Sequence, residues 1–183
     1  QFLVSGSHDE SVRLWNIDSG EQVQVLEGHK EPVSSVAFSP NGQFLVSGSL
    51  DKSVRLWNID SGEQVQVLEG HTGSVSSVAF SPNGQFLVSG SYDKSVRLWN
   101  IDSGEQVQVL EGHTYSVESV AFSSNGQFLV SESLWDKRVW NASTGASLYT
   151  GPDDQPLPQE YQFQTTKCST EMNLSSFSPT DLA

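Results

Sequence analysis

The strongest constraint on this chain is a period. "GSLDKSVRLWN" at residues 48–58 returns as "GSYDKSVRLWN" at residues 90–100. Residues 29–70 and 71–112 are identical at 38 of 42 positions, differing only at Lys30/Thr72, Glu31/Gly73, Pro32/Ser74 and Leu50/Tyr92. Residues 1–28 match residues 43–70 except at His8/Leu50 and Glu10/Lys52, and a fourth copy starts at His113 and then decays. A fixed period of this size marks a solenoid, a propeller or an array, and it decides the architecture before any single residue does.

Within one unit, "VSSVAF" (33–38), "FLVSGS" (44–49), "SVRLWN" (53–58) and "QVQVLE" (64–69) are short β-prone runs. Each is bounded by turn chemistry: "SPNGQ", an Asp-Lys pair, "IDSGE", and "GH" with its successors. Four strands of about six residues with turns of about four fill the period. Such gaps are too short for a parallel crossover, so neighbouring strands are antiparallel and the unit is a meander. "QVQVLE" alternates, with Gln64 and Gln66 expected on one exposed face and Val65 and Val67 on the other. "FLV" and "VRLW" are apolar at consecutive positions, which predicts burial on both faces and sheets stacked between sheets. Four-stranded sheets repeated about an axis make an all-β chain of β-propeller blades, about four of them, open rather than closed.

The "GH" pairs at 28/29, 70/71 and 112/113, the turn Asp and the Trp closing the third strand resemble the WD-repeat propeller family over residues 1–150. The terminal Asp of the family's "WD" is Asn here, at Asn16, Asn58, Asn100 and Asn141, an isosteric change. Near-identical copies are most similar to the repeats that fungal NACHT-type (STAND) receptor proteins carry in their sensor domains. The expected layout is a truncated repeat at 1–28, repeats at 29–70 and 71–112, a degenerate repeat at 113–150, and a linker with a mostly irregular tail at 151–183. Gln1 falls in mid-unit, so the chain reads as a piece of something longer.

Each complete unit carries His29, Ser47, Asp51 and Trp57, repeated as His71, Ser89, Asp93 and Trp99 and as His113, Ser131, Asp136 and Trp140. The Ser, His and Asp could be taken for a hydrolytic triad. No nucleophile elbow of the G-x-S-x-G kind accompanies them, and three equal active sites in one chain would be odd. No catalytic residue is therefore assigned. The family resemblance implies instead a structural chain: indole N–H to Ser hydroxyl, hydroxyl to imidazole, imidazole to the turn Asp, with Ser49 as the second choice for the hydroxyl. The histidines recur one per unit and the lone Cys168 lies outside the repeats, so no metal or cofactor site is expected either.

In a meander, successive connections alternate ends. Lys30, Glu31 and Pro32, with Thr72, Gly73 and Ser74 and with Thr114, Tyr115 and Ser116, lie in the turn entering each unit. His8, Leu50, Tyr92 and Trp135 precede the Asp of the second turn, which emerges on the same rim. The opposite turns, "SPNGQ" and "IDSGE", are copied unchanged through the first three units. The varying letters thus converge on one rim, the expected partner-binding surface, where His, Leu, Tyr and Trp suit a protein or peptide.

With 22 acidic against 9 basic residues the formal charge is −13, which disfavours nucleic acid and anionic membranes. A single Cys allows no internal disulfide, so a reducing, cytoplasmic setting is the simplest expectation. Neither a leader nor an apolar run of membrane-spanning length is visible. "NAS" at 141 and "NLS" at 173 match glycosylation sequons, which this setting leaves unused. In the fourth copy "ESLWDKRVWN" (132–141) replaces the repeated run: Glu132 stands for a strand Gly, one residue precedes Trp135, a Ser-Val pair is gone, and a shortened third strand is expected. After it, "PDDQPLPQ" (152–159) reads as a linker, and "YQFQT" is the one alternating run in a tail expected to stay mostly unpacked. The expected function is non-enzymatic recognition, as the sensor portion of a larger receptor. A general scaffold for complex assembly is the alternative and a serine hydrolase the remote third. An open arc would leave apolar end faces and favour self-association.

Overall fold

The computed structural model describes residues 1–162. β1 (Phe2–Gly6), β2 (Val12–Asn16) and β3 (Gln22–Leu26) form a three-stranded antiparallel sheet. Three four-stranded sheets follow, each ordered as in the chain. The second contains β4 (Val33–Phe38), β5 (Phe44–Ser49), β6 (Val54–Asn58) and β7 (Gln64–Leu68). The third contains β8 (Val75–Phe80), β9 (Phe86–Ser91), β10 (Val96–Asn100) and β11 (Gln106–Leu110). The fourth contains β12 (Val117–Phe122), β13 (Phe128–Ser133), β14 (Asp136–Asn141) and β15 (Ser147–Pro152), and a 3-10 turn spans Gln159–Tyr161. These sheets are blades 1 to 4.

The blades stack face to face, and the three hydrophobic clusters are the three junctions between them. At the second, Phe44, Val46, Val54 and Leu56 on the outgoing face of blade 2 meet Val75, Val78, Leu87 and Trp99 on the incoming face of blade 3. Corresponding clusters join blades 1 and 2, around Val12 and Leu45, and blades 3 and 4, around Val96 and Leu129. The approach is close enough to need a glycine: a Cβ on Gly48 would lie 2.6 Å from Val75 Cγ1, and Gly6 and Gly90 repeat the contact with Val33 and Val117. Polar bonds cross the same junction, since Ser34 Oγ donates to the Val75 carbonyl and the Val78 amide donates to Ser35 Oγ at 3.1 Å.

Two expectations are corrected here. Gln64 and Gln66 do not share an exposed face. A bulge in the β6–β7 pairing sets Gln64 opposite Trp57 and Gln66 opposite Leu56, so the two point to opposite sides of the sheet. Gln64 faces Gly28 of the preceding blade and Gln66 faces Gly104 of the following one, while Val65 and Val67 are exposed. The third strand of blade 4 is not shortened: β14 has six residues against five in β6 and β10, because the lost pair comes out of the turn. That turn in blades 2 and 3 carries Lys52 and Lys94 at positive φ, whereas Lys137 sits within β14. Past β15 most of residues 153–160 are exposed, as a linker would be, while the Tyr161 ring meets Phe128 and Tyr149. The rest of "YQFQT" and the tail, 163–183, lie outside the described residues.

The face-to-face arrangement makes one letter of the repeat cost different amounts in different copies. Leu45 is 1% exposed against blade 1, whereas Leu3, the same position in blade 1, is 54% exposed. Leu45→Ala should destabilise the chain by about 2–5 kcal/mol. Leu3→Ala should stay within about 0.5 kcal/mol. Urea midpoints of the two variants check the difference.

Candidate functional site

In each complete blade the residues singled out from the sequence meet in one line. In blade 2, Trp57 Nε1 donates to Ser47 Oγ at 2.8 Å, Ser47 Oγ lies 2.7 Å from His29 Nε2, and His29 Nδ1 lies 2.8 Å from Asp51 Oδ2. Blade 3 repeats this through Trp99, Ser89, His71 and Asp93 at 2.9, 2.8 and 2.8 Å. Blade 4 does so through Trp140, Ser131, His113 and Asp136 at 2.8, 2.6 and 2.7 Å. The indole can only donate, so the serine accepts from it and donates its own O–H to Nε2. The imidazole is then the Nδ1–H tautomer, donating to the carboxylate. Blade 1 keeps the first link, Trp15 Nε1 to Ser5 Oγ at 3.0 Å.

The atom order from Ser to Asp is that of a hydrolytic triad, but the setting differs in the one respect that decides reactivity. Ser47, Ser89 and Ser131 are each 0% exposed, and each hydroxyl is held by an indole on its far side. A substrate carbonyl has no route to such an oxygen. Ser49 is not part of the line: its hydroxyl donates to the Glu31 carbonyl at 2.8 Å and accepts from the Asp51 amide at 3.0 Å.

The line ends in the rim turns and fixes them. Asp51 also accepts from the amides of Lys30 and Ser53 and from Ser53 Oγ, which ties the entering turn to the second turn. Leu50 N donates to the Pro32 carbonyl at 3.0 Å, and Tyr92 N to the Ser74 carbonyl at 2.8 Å. The varying residues are thereby brought to one rim: Lys30, Glu31 and Pro32 beside Leu50, Thr72, Gly73 and Ser74 beside Tyr92, Thr114, Tyr115 and Ser116 beside Trp135, with His8 exposed on blade 1. Trp135 is 63% exposed and Tyr92 58%. Two features escaped the sequence reading. Tyr115 and Trp135 pack edge to face with ring centroids 6.4 Å apart, and the residue inserted in blade 4 puts Leu134 out beside them.

On the opposite rim the Asn of the third strand organises its turn, with Asn58 Oδ1 accepting from the amides of Asp60 and Ser61. Only the acceptor oxygen is used there, which is why Asn can stand for Asp. A cavity of about 360 Å³ opens on this rim between blades 3 and 4, lined by Phe86, Leu98, Phe122 and Ala142, the last replacing the Ile59 and Ile101 of the earlier copies. Among the described residues no cluster of three or more His, Cys, Asp or Glu could hold a metal ion, and no helix is long and apolar enough to cross a membrane.

Burial pushes the His29 and His113 imidazoles below their usual pKa, against the opposing pull of Asp51 and Asp136. Burial also works to raise Asp51, but hydrogen bonds from Ser53, His29 and the Ser53 and Lys30 amides outweigh it and hold the carboxyl at about 2. Both kinds of shift have the same sign for stability: the unfolded chain takes up protons before the folded one does, so acid favours unfolding. Stability should be flat above about pH 7, fall as pH drops through the ordinary histidine range near 6.5, and fall more steeply below about 4. Urea midpoints between pH 8 and pH 3 measure this. His71→Ala should cost about 1–3 kcal/mol at pH 7 by leaving Ser89 and Asp93 each short of a partner. A shift within about 0.3 kcal/mol would show that the line holds nothing together.

The family model of the WD domain, G-beta repeat, matches residues 1–16, 20–58, 62–100 and 104–141. Its unit runs from the outer strand of one blade to the third strand of the next, so each sequence repeat spans a junction. Similar proteins include the F-box-like/WD repeat-containing protein TBL1X of Mus musculus, 50% identical over 42 residues, which are 23% of this chain and 8% of that protein. The WD40 repeat-containing protein HOS15 of Arabidopsis thaliana is 49% identical over 41 residues, 22% of this chain and 7% of its own length. The nuclear distribution protein PAC1 of Mycosarcoma maydis is 44% identical over 43 residues, 24% of this chain and 10% of its own. The chain thus matches about one repeat's length, a tenth or less, of each of these relatives. With the family model covering most of the chain and the repeated hydrogen-bond line in three blades, this chain belongs to the WD40 repeat family.

Proposed function

We propose that this chain is a non-enzymatic recognition module that binds a protein or peptide on the variable rim. One observation carries the reading: the side chains that differ between copies, Leu50, Tyr92 and Trp135, are exposed on one rim, above a hydrogen-bond line that is the same in all three complete blades. Large amphipathic rings on rigid turns bury much surface at a small entropic cost, which suits an interface anchor. The names of related proteins lend support, since Striatin-3 of Rattus norvegicus and subunit 5 of the transcription initiation factor TFIID of Caenorhabditis elegans carry matching repeats, and the latter is by its name a member of an assembly.

The near-identity of the copies favours a sensor portion of a NACHT/STAND-type receptor in a cytoplasmic, reducing setting, over a general assembly scaffold. A phosphate-binding G-x-x-x-x-G-K-[ST] loop elsewhere in the same open reading frame would support the receptor, and a reading frame of repeats alone would support the scaffold. The hydrolase reading is set aside because the serine oxygens are buried, and an active-serine probe should leave them unlabelled.

Peptides selected from a displayed library against the whole chain test the rim. The double substitution Tyr92→Ala and Trp135→Ala should weaken their binding at least about tenfold, the loss expected of interface anchors, with the urea midpoint unchanged. Asp60→Ser and Asp102→Ser, on the opposite rim, should leave binding as it was. If the opposite-rim pair mattered more, the variable rim would not be the binding surface.

A further inference from the structure

The fourth copy is changed on one side only. Its incoming face keeps Val117, Val120, Phe122, Leu129 and Trp140, all buried against blade 3. Its outgoing face, which in blades 1 to 3 receives the next blade, has lost the repeat's letters. Glu132 stands where Gly48 and Gly90 admit the valine of the next blade, and Lys137 pairs with it in register where Val54 and Val96 pair with the glycines. Glu118 replaces Ser34 and Ser76, whose hydroxyls bond to the carbonyls of Val75 and Val117 across the junction. On the outer strand Tyr149 and Gly151 take the register positions of Gln66 and Leu68.

These changes act against docking in two ways. At the glycine position even one added carbon would sit 2.6 Å from the valine of a following blade, and glutamate adds a whole side chain. Glu132 and Lys137 lie 3.3 Å apart as an ion pair, and a fifth blade would have to strip water from both charges inside an apolar junction. Repeat arrays end in units whose outer face is polar for this reason.

The same face already has an occupant. Beyond β15 the chain turns at the variable rim, where the Asp153 amide donates to the Trp135 carbonyl at 3.3 Å and Lys137 Nζ lies 3.8 Å from Asp153 Oδ1. By residue 161 it has reached the other end of β13: the Tyr161 ring packs edge to face on Phe128 at 6.1 Å and lies 6.2 Å from Tyr149. Phe44 and Phe86, the equivalents of Phe128, pack against the following blade. Nine residues can span about 30 Å extended, more than the roughly 20 Å length of a six-residue strand.

We propose that blade 4 is a terminal blade, whose outgoing face excludes a further blade of this repeat through Glu118, Glu132 and Lys137 and is covered by the chain's own segment 153–161, with Tyr161 seated on Phe128. Blades of the repeat then add only at the opposite end, where Leu3 and Ile17 of blade 1 present the incoming face.

The test uses the full chain with a copy of residues 69–110 inserted after Pro152, in the native background and in one carrying Glu118→Ser, Glu132→Gly and Lys137→Val. In the native background the added unit, which has no core of its own, should stay undocked and unfolded, leaving one transition with the slope of the unmodified chain. In the substituted background there should be one transition, with a denaturant slope about a quarter larger because a fifth blade now contributes buried surface. A single enlarged transition in the native background would overturn the exclusion, and so would an unenlarged one in both. The cover is tested without the insertion: Tyr161→Ala should speed amide exchange across Phe128–Ser133 by about fivefold or more, in a peptide that Glu132 makes distinguishable by mass from the other copies. Unchanged exchange there would mean that the segment does not cover the face.

Discussion

No blade of this protein has a core of its own. Each is a single sheet with apolar residues on both faces, and at the three junctions those faces are buried against the neighbouring sheet, at a spacing set by a glycine against a valine. From this contact follow the close burial of Leu45, Leu87 and Leu129, the crossing bonds of Ser34 and Ser35, and the repetition itself. When every outgoing face must fit every incoming face, a change at the junction is tolerated only if the next blade changes with it. Blade 4 departs from the repeat on its outgoing face, at Glu118, Glu132 and Lys137.

The hydrogen-bond line from Trp through Ser and His to Asp serves a second requirement. A sheet edge leaves turns that would otherwise be free, and the line anchors two of them to the buried indole of their own blade. Its serine, histidine and aspartate have the connectivity of a hydrolytic site, yet the indole and full burial leave the hydroxyl as a link rather than a nucleophile. Residues just beyond the anchor, such as Leu50 and Tyr92, bear none of this load, since their backbone amides make the turn bonds whatever the side chain. That is the physical reason the rim can vary while the frame is copied, and it is what makes the rim a suitable place for recognition.

The meander and its strand order were legible because period, turn residues and loop lengths all point the same way. The junctions were legible only in part. Consecutive apolar residues in "FLV" announced burial on both faces, but nothing in the letters announced the bulge that turns Gln64 and Gln66 to opposite sides, because a bulge is a backbone event set by pairing with β6. In the fourth copy the deletion could be counted but not placed. The strand keeps its ladder with β13 and β15, and the turn gives way instead, since losing rungs costs more than tightening a loop. The packing of Tyr161 was hidden for another reason: its contact with Phe128 joins the segment after β15 to the far end of β13, which is a property of the assembled sheet rather than of the local sequence.

The fold rests on the spacing between blades, and a double-mutant cycle at one junction tests that dependence most directly. Gly48→Ala adds a carbon aimed at Val75 Cγ1, and Val75→Ala removes that atom. Gly48→Ala alone should destabilise the chain by about 1–3 kcal/mol, as overpacking does. In the Val75→Ala background it should cost distinctly less, with a coupling of at least about 0.5 kcal/mol in urea denaturation. An equal cost in both backgrounds would mean that these faces do not meet at this contact, and that the blades are held together by something else.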